Sequence, residues 1–191
     1  MKESQAIKSK AKIGAMKDYL LEKNVRDYLL IVTGLNTALR IGDILRLKVE
    51  SVRDSQGNIK RYIRIKESKR KVKKQRDITI NKSLEAALVT FFKRMPVLER
   101  GLPLFPGKRS DRPMTRQNAH NIIKDACAHV GLEGNYSAHS LRKSWGYCAY
   151  SQGVRVEAIS KKLGHSSTGV TLRYIGIEVE EIHKLEEQIC L

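Results

Sequence analysis

Four side chains near the carboxyl end of the chain could together cut a phosphodiester. His139 and Arg142 lie three residues apart, His165 follows the dipeptide L-G, and Tyr174 comes nine residues later. A planar guanidinium group matches phosphate oxygens with paired hydrogen bonds. A tyrosine hydroxyl can attack phosphorus when neighbouring cations and a proton acceptor lower the cost of forming the phenolate. The pattern therefore predicts phosphoryl-transfer chemistry with Tyr174 as the nucleophile.

The same chemistry needs a second cation and two proton-transfer groups. Arg40, in T-G-L-N-T-A-L-R-I-G-D-I-L-R-L, is predicted at a helix start, where free backbone N–H groups also favour an anion. His139 is placed to accept the phenol proton, and a lysine on a flexible hairpin could protonate the leaving oxygen. The sequence has no acidic cluster with magnesium-site spacing and no H-E-x-x-H motif, so we expect neither a metal nor another cofactor.

Helices are expected to position these side chains. Apolar spacing places His139 and Arg142 on the first turn of a helix that ends at Gly153. Gly164 is expected to end the next helix directly before His165. Small polar residues at 166–169 precede Tyr174, so we expect a mobile, exposed segment and do not expect the phenol to be in attacking position in a structure without DNA.

Upstream, helical periodicity predicts further helices within 13–35, 41–47, 84–95 and 115–130. Asn24, Ser83 and Thr115 are predicted helix caps, whereas Gly34 and Asn36 are expected to punctuate the chain. Apolar runs at 62–65 and 77–80 predict an antiparallel hairpin. The predicted fold class is α+β and mainly helical, with a small antiparallel sheet.

The tip of this hairpin, K-E-S-K-R-K-V-K-K-Q-R, is almost entirely basic. Such a tip could be a charged edge that discourages strand aggregation, or it could face DNA. We favour DNA because the cations repel one another unless an anion lies among them. The predicted DNA contacts are Lys69, Arg70, Lys71, Lys73, Lys74, Arg76, Arg116 and Lys143.

Composition points to the same class of partner. The chain has 191 residues with 37 Lys and Arg against 20 Asp and Glu, a net charge of +17. Such a charge favours a polyanion through counterion release, although ribosomal and membrane-surface proteins share it. Three cysteines without C-x-x-C spacing, and the lack of an apolar signal or membrane-length segment, predict a cytoplasmic protein with no membrane partner.

Together these motifs closely resemble the carboxy-terminal catalytic domain of the tyrosine recombinases, the phage integrase family. The segment that contains Arg40 resembles the first arginine box, A-H-S-L-R the His-x-x-Arg box, and L-G-H-S-S-T-G-V-T-L-R-Y the His-to-Tyr segment. The resemblance covers nearly the whole chain. It implies a site-specific recombinase or integrase of a bacterium, phage or mobile element, which forms a 3′-phosphotyrosine intermediate within a tetramer on double-stranded DNA recombination sites.

The resemblance also implies a role for individual residues. Tyr174 matches the nucleophile, His139 a proton-transfer group, and His165 a phosphate-contacting position. The hairpin lysine aligns as Lys69 when counted from the first strand and as Lys71 when counted from the second; we prefer Lys69. Arg40 and Arg142 match the phosphate-binding arginines, and Asp43 an acidic residue that supports the first of them.

Domain organisation and alternative functions complete the expectations. Residues 1–191 are expected to form one catalytic domain, with a core at about 10–175 and a tail helix at 176–191 that covers its own core or docks on a neighbour. The amino-terminal core-binding domain usual in the family is expected to be absent. Type IB topoisomerase-like relaxation, a non-catalytic DNA-binding regulator and RNA binding are the alternatives.

Overall fold

The computed structural model describes residues 3–66, 75–95, 99–108, 111–177 and 186–189. Helices dominate these ranges, with a single hairpin between the fourth and fifth of them. In chain order the elements are α1 (Lys10–Lys23), α2 (Val25–Thr37), α3 (Ile41–Ile44), α4 (Val49–Val52), β1 (Tyr62–Lys66), β2 (Gln75–Thr79), α5 (Lys82–Arg94), α6 (Arg116–His129), α7 (Ala138–Ser151), α8 (Val156–Leu163) and α9 (Thr168–Ile175).

Helix α2 is the central element of the fold. The Asn24 side chain accepts hydrogen bonds from two backbone N–H groups of its first turn, as predicted. Four consecutive residues, Leu29 to Val32, are fully buried because α1, α5 and α7 all pack against this helix. A helix enclosed on several sides is buried around much of its circumference.

The predicted break at Gly34 and Asn36 is wrong, because α2 continues to Thr37. Gly34 instead permits a close helix contact: a Cβ atom there would lie 2.5 Å from Leu141 Cδ1 on α7. The chain turns at Ala38, a non-glycine residue in the left-handed conformation with φ 55°. Such a conformation is costly for an L-residue and recurs at functional sites.

Two further local predictions need correction and one is confirmed. Asn81, not Ser83, caps α5, with its side-chain oxygen 3.0 Å from the Leu84 backbone nitrogen. The predicted third helix extends only from Ile41 to Ile44. The Thr115 cap of α6 is confirmed, and Gly131 follows that helix with φ 64°.

The predicted hairpin is confirmed. Strands β1 and β2 are antiparallel, with Arg64 opposite Asp77. The two side chains form a bidentate ion pair with N–O distances of 2.9 and 3.1 Å, and the guanidinium lowers the pKa of Asp77. This pair pins the strand register below the basic tip.

The core has three parts: the first and second meet at α2, and the second and third meet at α7. The first lies between α2, α5 and the hairpin, and the second between α1, α6 and the start of α7. The third joins α7, α8 and α9, with Ile159, Leu163 and Ile175 at its centre. A Cβ atom on Gly146 would lie 2.7 Å from Ile175 Cγ2, so this glycine allows α9 to approach α7.

The mainly helical α+β fold class is thus confirmed. Gly176 ends α9 in a left-handed conformation, and Ile177 is buried beyond it. Most of the predicted tail helix, 178–185 and 190–191, lies outside the described residues. Within the described ranges, none of the helices combines the length and apolar character needed to cross a lipid bilayer.

Candidate active site

Arg142 lies at the centre of the site, on the second turn of α7. Its guanidinium donates to two backbone carbonyl oxygens, those of Ala38 and Leu163, and the residue is 6% exposed. The left-handed turn at Ala38 and the end of α8 therefore hold one side chain between them. Burial lowers the pKa of Arg142, the neighbouring phenol of Tyr174 opposes that change, and Arg40 adds to it.

Tyr174 lies on α9 beside Arg142 and His165. Its ring meets the His165 ring edge-on, with centroids 4.8 Å apart. Burial raises the pKa of the Tyr174 phenol, whereas the charge of Arg142 and a hydrogen bond from it lower that pKa. Residues 166–169 are exposed as expected, but Ser167 caps α9, and the phenol lies within hydrogen-bonding reach of the guanidinium. That the phenol is not in attacking position without DNA stays a prediction.

His165 directly follows Gly164, which ends α8 in a left-handed conformation as predicted. Its Nδ1 atom lies 3.0 Å from Thr171 Oγ1, and that hydroxyl lies 2.7 Å from Ser160 Oγ. Burial lowers the pKa of His165, and the charges of Arg142 and Arg40 lower it further. The imidazole is therefore neutral at neutral pH.

Lys143 is buried, unlike a typical surface DNA contact. Its side chain is 6% exposed and its Nζ lies 2.5 Å from Glu3 Oε1. The same Nζ lies 4.8 Å from the centre of the Tyr174 ring. Glu3, Lys143 and Tyr174 line one open cavity, so the first described residues of the chain reach the edge of the site.

Arg40 and His139 are both exposed at helix starts. Arg40 immediately precedes α3, as predicted, and its charge lowers the pKa of both Arg142 and His165. His139 is the second residue of α7, where Ser137 accepts a hydrogen bond from its backbone N–H. Asp43 is ion-paired with Arg46. Its supporting role stays a prediction.

Two cations extend the site toward the hairpin. Arg76, the second residue of β2 and close to the hairpin tip, donates a 2.7 Å hydrogen bond to the Lys162 carbonyl oxygen. Burial, reinforced by Arg76 and Arg142, lowers the pKa of the Lys162 amine to about 8. Lys162 also lies over the Trp145 ring, with Nζ 5.7 Å from its centre. Sequence reasoning missed Lys162 because it looks like any lysine on an exposed helix face.

The remaining predicted contacts divide into placed and undescribed residues. Arg116 begins α6 and covers Gly42, where a Cβ atom would lie 2.8 Å from Arg116 Nη2, so it adjoins the Arg40 segment. Among the described residues no group of three or more His, Cys, Asp or Glu is placed to hold a metal ion. The predicted hairpin cations Lys69, Arg70, Lys71, Lys73 and Lys74 lie outside the described residues.

Comparison with known proteins agrees with this geometry. The model of the phage integrase family matches residues 9–181. The chain belongs to the phage integrase family. A probable integrase/recombinase of Bacillus subtilis, YoeC, is 40% identical over 174 residues, which cover 91% of this chain and 90% of that relative. The tyrosine recombinase XerD of Corynebacterium glutamicum is 27% identical over 165 residues, 85% of this chain and 52% of its own length.

Solved structures show the same fold for this phage integrase family member. The crystal structure of XerA recombinase has a TM-score of 0.77 at 17% identity and covers all of this chain and 68% of that one. The XerH recombinase bound to palindromic difH substrate, a post-cleavage complex, has a TM-score of 0.72 at 17% identity over 97% of this chain. This chain spans about half the length of XerD and XerH.

Family membership confirms the predicted class of activity. The chain is a tyrosine recombinase, an enzyme class that transfers DNA strands. Neither the topoisomerase-like nor the regulator alternative is favoured by these relatives. The roles of individual residues in the reaction stay predictions.

Proposed function

We propose that this chain is the catalytic domain of a site-specific recombinase or integrase that cuts and rejoins double-stranded DNA through Tyr174. Residues 1–191 would form one domain that carries all the catalytic side chains. The proposal rests on the two groups that contact the Tyr174 side chain. Its phenol lies against a buried, doubly anchored guanidinium and a neutral imidazole.

In the proposed first step the Tyr174 oxygen attacks a DNA phosphorus. The phenol proton leaves to a neighbouring base, the new O–P bond forms a 3′-phosphotyrosine, and the bond to the 5′-oxygen breaks. Arg142 and Arg40 stabilise the charge that develops on the non-bridging oxygens. Because two backbone carbonyls already fix Arg142, little side-chain freedom is lost when the phosphate arrives.

Two histidines are the proposed proton acceptors and phosphate contacts. His139 is exposed at the start of α7, where the helix dipole also favours an anion. His165 is neutral at neutral pH because burial and two arginines lower its pKa. A neutral imidazole beside the phenol can take a proton, and an imidazolium could not.

The 5′-oxygen leaves as a hydroxyl and needs one proton. We propose the hairpin lysine, Lys69 with Lys71 as the alternative, as its donor. Arg76, beside the hairpin tip, is tied to the end of α8, so the described residues next to the tip already adjoin the site. Religation reverses these steps when a 5′-hydroxyl of the partner strand attacks the phosphotyrosine, which requires no metal and no ATP.

The proposed partners are DNA recombination sites and further copies of the chain. XerH was solved on its difH substrate, and a lambda integrase dimer was solved on a COC′ core site. A net charge of +17 supports binding to DNA through phosphate neutralisation. We further propose assembly into a tetramer on DNA and a cytoplasmic location, which the bacterial relatives support.

A nicked suicide substrate tests the chemistry. Such a DNA releases a short fragment after cleavage, so the covalent protein–DNA adduct accumulates and is resolved on a denaturing gel. We expect Tyr174→Phe to abolish the adduct and Arg142→Lys to reduce it by about 100-fold or more, since the loss of one transition-state contact costs about that much. Sedimentation of the same reaction measures the number of chains bound to paired sites.

Matched controls come from α7, the helix that carries Arg142. Tyr147→Phe and Tyr150→Phe remove hydroxyls from tyrosines that pack in the third core cluster, and both variants should retain the adduct. An adduct that persists with Phe at position 174 would reassign the nucleophile. A folded protein that forms no adduct on the recombination sites flanking its own element would contradict the proposal.

A further inference from the structure

We propose that Thr171 and Ser160 are positioning residues that hold His165 in one tautomer, with the neutral imidazole proton on Nδ1. The catalytic consequence rests on the proposed function, whereas the tautomer is a property of the DNA-free protein. Thr171 lies three residues before Tyr174 on α9, and Ser160 lies on α8. The two hydroxyls therefore join the helix that carries the phenol to the helix that presents the histidine.

The three side chains form a continuous buried chain of hydrogen bonds. His165 Nδ1 lies 3.0 Å from Thr171 Oγ1, which lies 2.7 Å from Ser160 Oγ. Ser160 Oγ in turn donates to the Val156 carbonyl oxygen at 2.8 Å. Thr171 is fully buried and Ser160 is 7% exposed. Water therefore competes little for these groups, and an unmade bond there is costly.

Counting protons selects the tautomer. The two hydroxyls make four short contacts, the fourth between Thr171 Oγ1 and the Ser167 carbonyl oxygen at 3.2 Å. Each hydroxyl supplies one proton. If Nδ1 has no proton, only two contacts can be hydrogen bonds, and if Nδ1 carries a proton, three can. The favoured arrangement runs in one direction, from His165 to Thr171, then to Ser160, then to the Val156 carbonyl.

This arrangement determines what the other ring nitrogen can do. In the neutral ring Nε2 carries a lone pair, so it accepts a proton before it can donate to a phosphate oxygen. His165 is then a proton acceptor at Nε2 in the resting enzyme and a phosphate donor after protonation. The opposite tautomer would reverse that order, and a freely rotating ring would impose none.

Nitrogen-15 NMR of the DNA-free protein tests the tautomer directly. The chain has five histidines, and the His165 signals are assigned by their loss in His165→Gln. We expect the wild-type ring to be mainly Nδ1–H and the Thr171→Val ring to shift toward Nε2–H, the form that free histidine prefers. Thr171→Ser keeps the hydroxyl and should restore the wild-type ratio, and Ser160→Ala should weaken the preference without abolishing it.

Cleavage of the suicide substrate supplies the second readout. We expect Thr171→Val to reduce the cleavage rate by about 10–100-fold, as is common when a hydrogen-bond partner of a functional histidine is removed, and Thr171→Ser to recover it. The matched control is Thr90→Val on α5, whose hydroxyl bonds the Ala86 carbonyl at 2.9 Å. It makes the same chemical change far along the chain and should alter neither readout.

The outcomes separate this inference from the proposed function. A wild-type His165 that is mainly Nε2–H would overturn it, and so would a Thr171→Val protein with an unchanged tautomer ratio. Loss of cleavage without a tautomer change would also count against it, because that result indicates a packing defect. A wild-type Nδ1–H ring in a protein that cleaves no DNA would uphold the tautomer and overturn the proposed function.

Discussion

At the scale of single residues, the site shifts the pKa values of two neighbouring groups in opposite directions. Burial raises the pKa of the Tyr174 phenol, and the Arg142 charge only partly offsets that rise. The same burial, reinforced by the arginines, lowers the pKa of His165. The resting site therefore contains a neutral phenol next to a neutral imidazole, an arrangement suited to proton transfer from the first to the second.

Lys162 gives a residue-scale prediction about stability and pH. Its amine has a pKa of about 8 in the folded protein against an ordinary value of 10.5. Below pH 8 both the folded and unfolded chains carry the proton, and the folded state bears the full cost of the charge. Replacing the amine with a methyl thioether in Lys162→Met should therefore raise the Tm at pH 7. The gain should fade as the pH rises from about 8 to 10.5, where the wild-type amine loses its charge.

Lys161→Met is the matched control for that measurement. Lys161 is the preceding residue of α8 and is exposed, so its removal should give no pH-dependent gain in Tm. The two variants are compared by thermal unfolding, followed by circular dichroism, between pH 6 and pH 11. This range includes both the folded-state pKa of about 8 and the ordinary value of 10.5. If Tm depended on pH in the same way for Lys161→Met and Lys162→Met, burial of the Lys162 charge would not destabilise the folded protein.

At the scale of elements, α7 is the platform on which the site is assembled. It approaches α2 at Gly34 and α9 at Gly146. The first contact lets Arg142 reach the Ala38 carbonyl beyond the end of α2. The second sets the distance between Arg142 and the helix that carries Tyr174. Both contacts depend on the absence of a Cβ atom, so a single methyl group should disturb the site without touching a catalytic side chain.

Gly146→Ala tests this at the α7–α9 contact. The new methyl would lie 2.7 Å from Ile175 Cγ2, and overpacking of that kind costs about 1–3 kcal/mol, against a gain of about 1 kcal/mol in helix propensity. We therefore expect a loss of about 1 kcal/mol in the free energy of unfolding. Cleavage should fall by a larger factor than stability alone explains, because α9 carries Tyr174. Chemical denaturation and the suicide-substrate rate measure the two effects.

Gly14→Ala is the control for the same substitution. Gly14 lies within α1, and a Cβ atom there would have no neighbour within 4 Å. That variant should gain about 0.5–1 kcal/mol of stability from helix propensity and cleave at the wild-type rate. If Gly146→Ala behaved like Gly14→Ala in both assays, the close approach of α9 to α7 would not matter for catalysis.

At the scale of the whole molecule, positive charge converges on the site. The charges of Arg40 and Arg76 lower the pKa of Arg142, and those of Arg76 and Arg142 lower the pKa of Lys162. Arg116 adjoins the Arg40 segment. Such a concentration of cations costs free energy in the free protein because the charges repel one another. This repulsion contributes to the lowered pKa values of Arg142 and Lys162. A DNA phosphate would remove that cost by neutralising the cations, so their mutual repulsion in the free protein favours DNA binding.

Arg116→Ala tests the extent of the DNA-binding surface. If Arg116 neutralises one phosphate, the variant should bind a cognate duplex more weakly, and the slope of log affinity against log salt should shrink by about 0.9. Fluorescence anisotropy over a salt series gives both quantities. Lys23→Ala is the control: Lys23 pairs with Asp125 at 2.8 Å near the opposite end of α6, so its slope should match the wild type. An unchanged slope for Arg116→Ala would place Arg116 outside the interface.

Much of the fold and of the site could be predicted from local sequence. The Asn24 and Thr115 caps, the hairpin and the helix stop at Gly164 depend on a few neighbouring residues, and all are confirmed. One error arose where a distant element decides. Gly34 was expected to break a helix because nothing nearby reveals Leu141, which lies more than a hundred residues away and requires the glycine.

Local sequence supplies the residue types, their spacing and the amount of positive charge, and these predict phosphoryl-transfer chemistry. Only the tertiary structure decided which of them meet. The fold brings the Tyr174 phenol next to the Arg142 guanidinium and buries Lys143 beside Glu3. It also connects His165 through Thr171 to Ser160 by hydrogen bonds. The physical reason is that pKa values, tautomers and helix contacts depend on burial and on neighbours from remote segments, which local spacing does not encode.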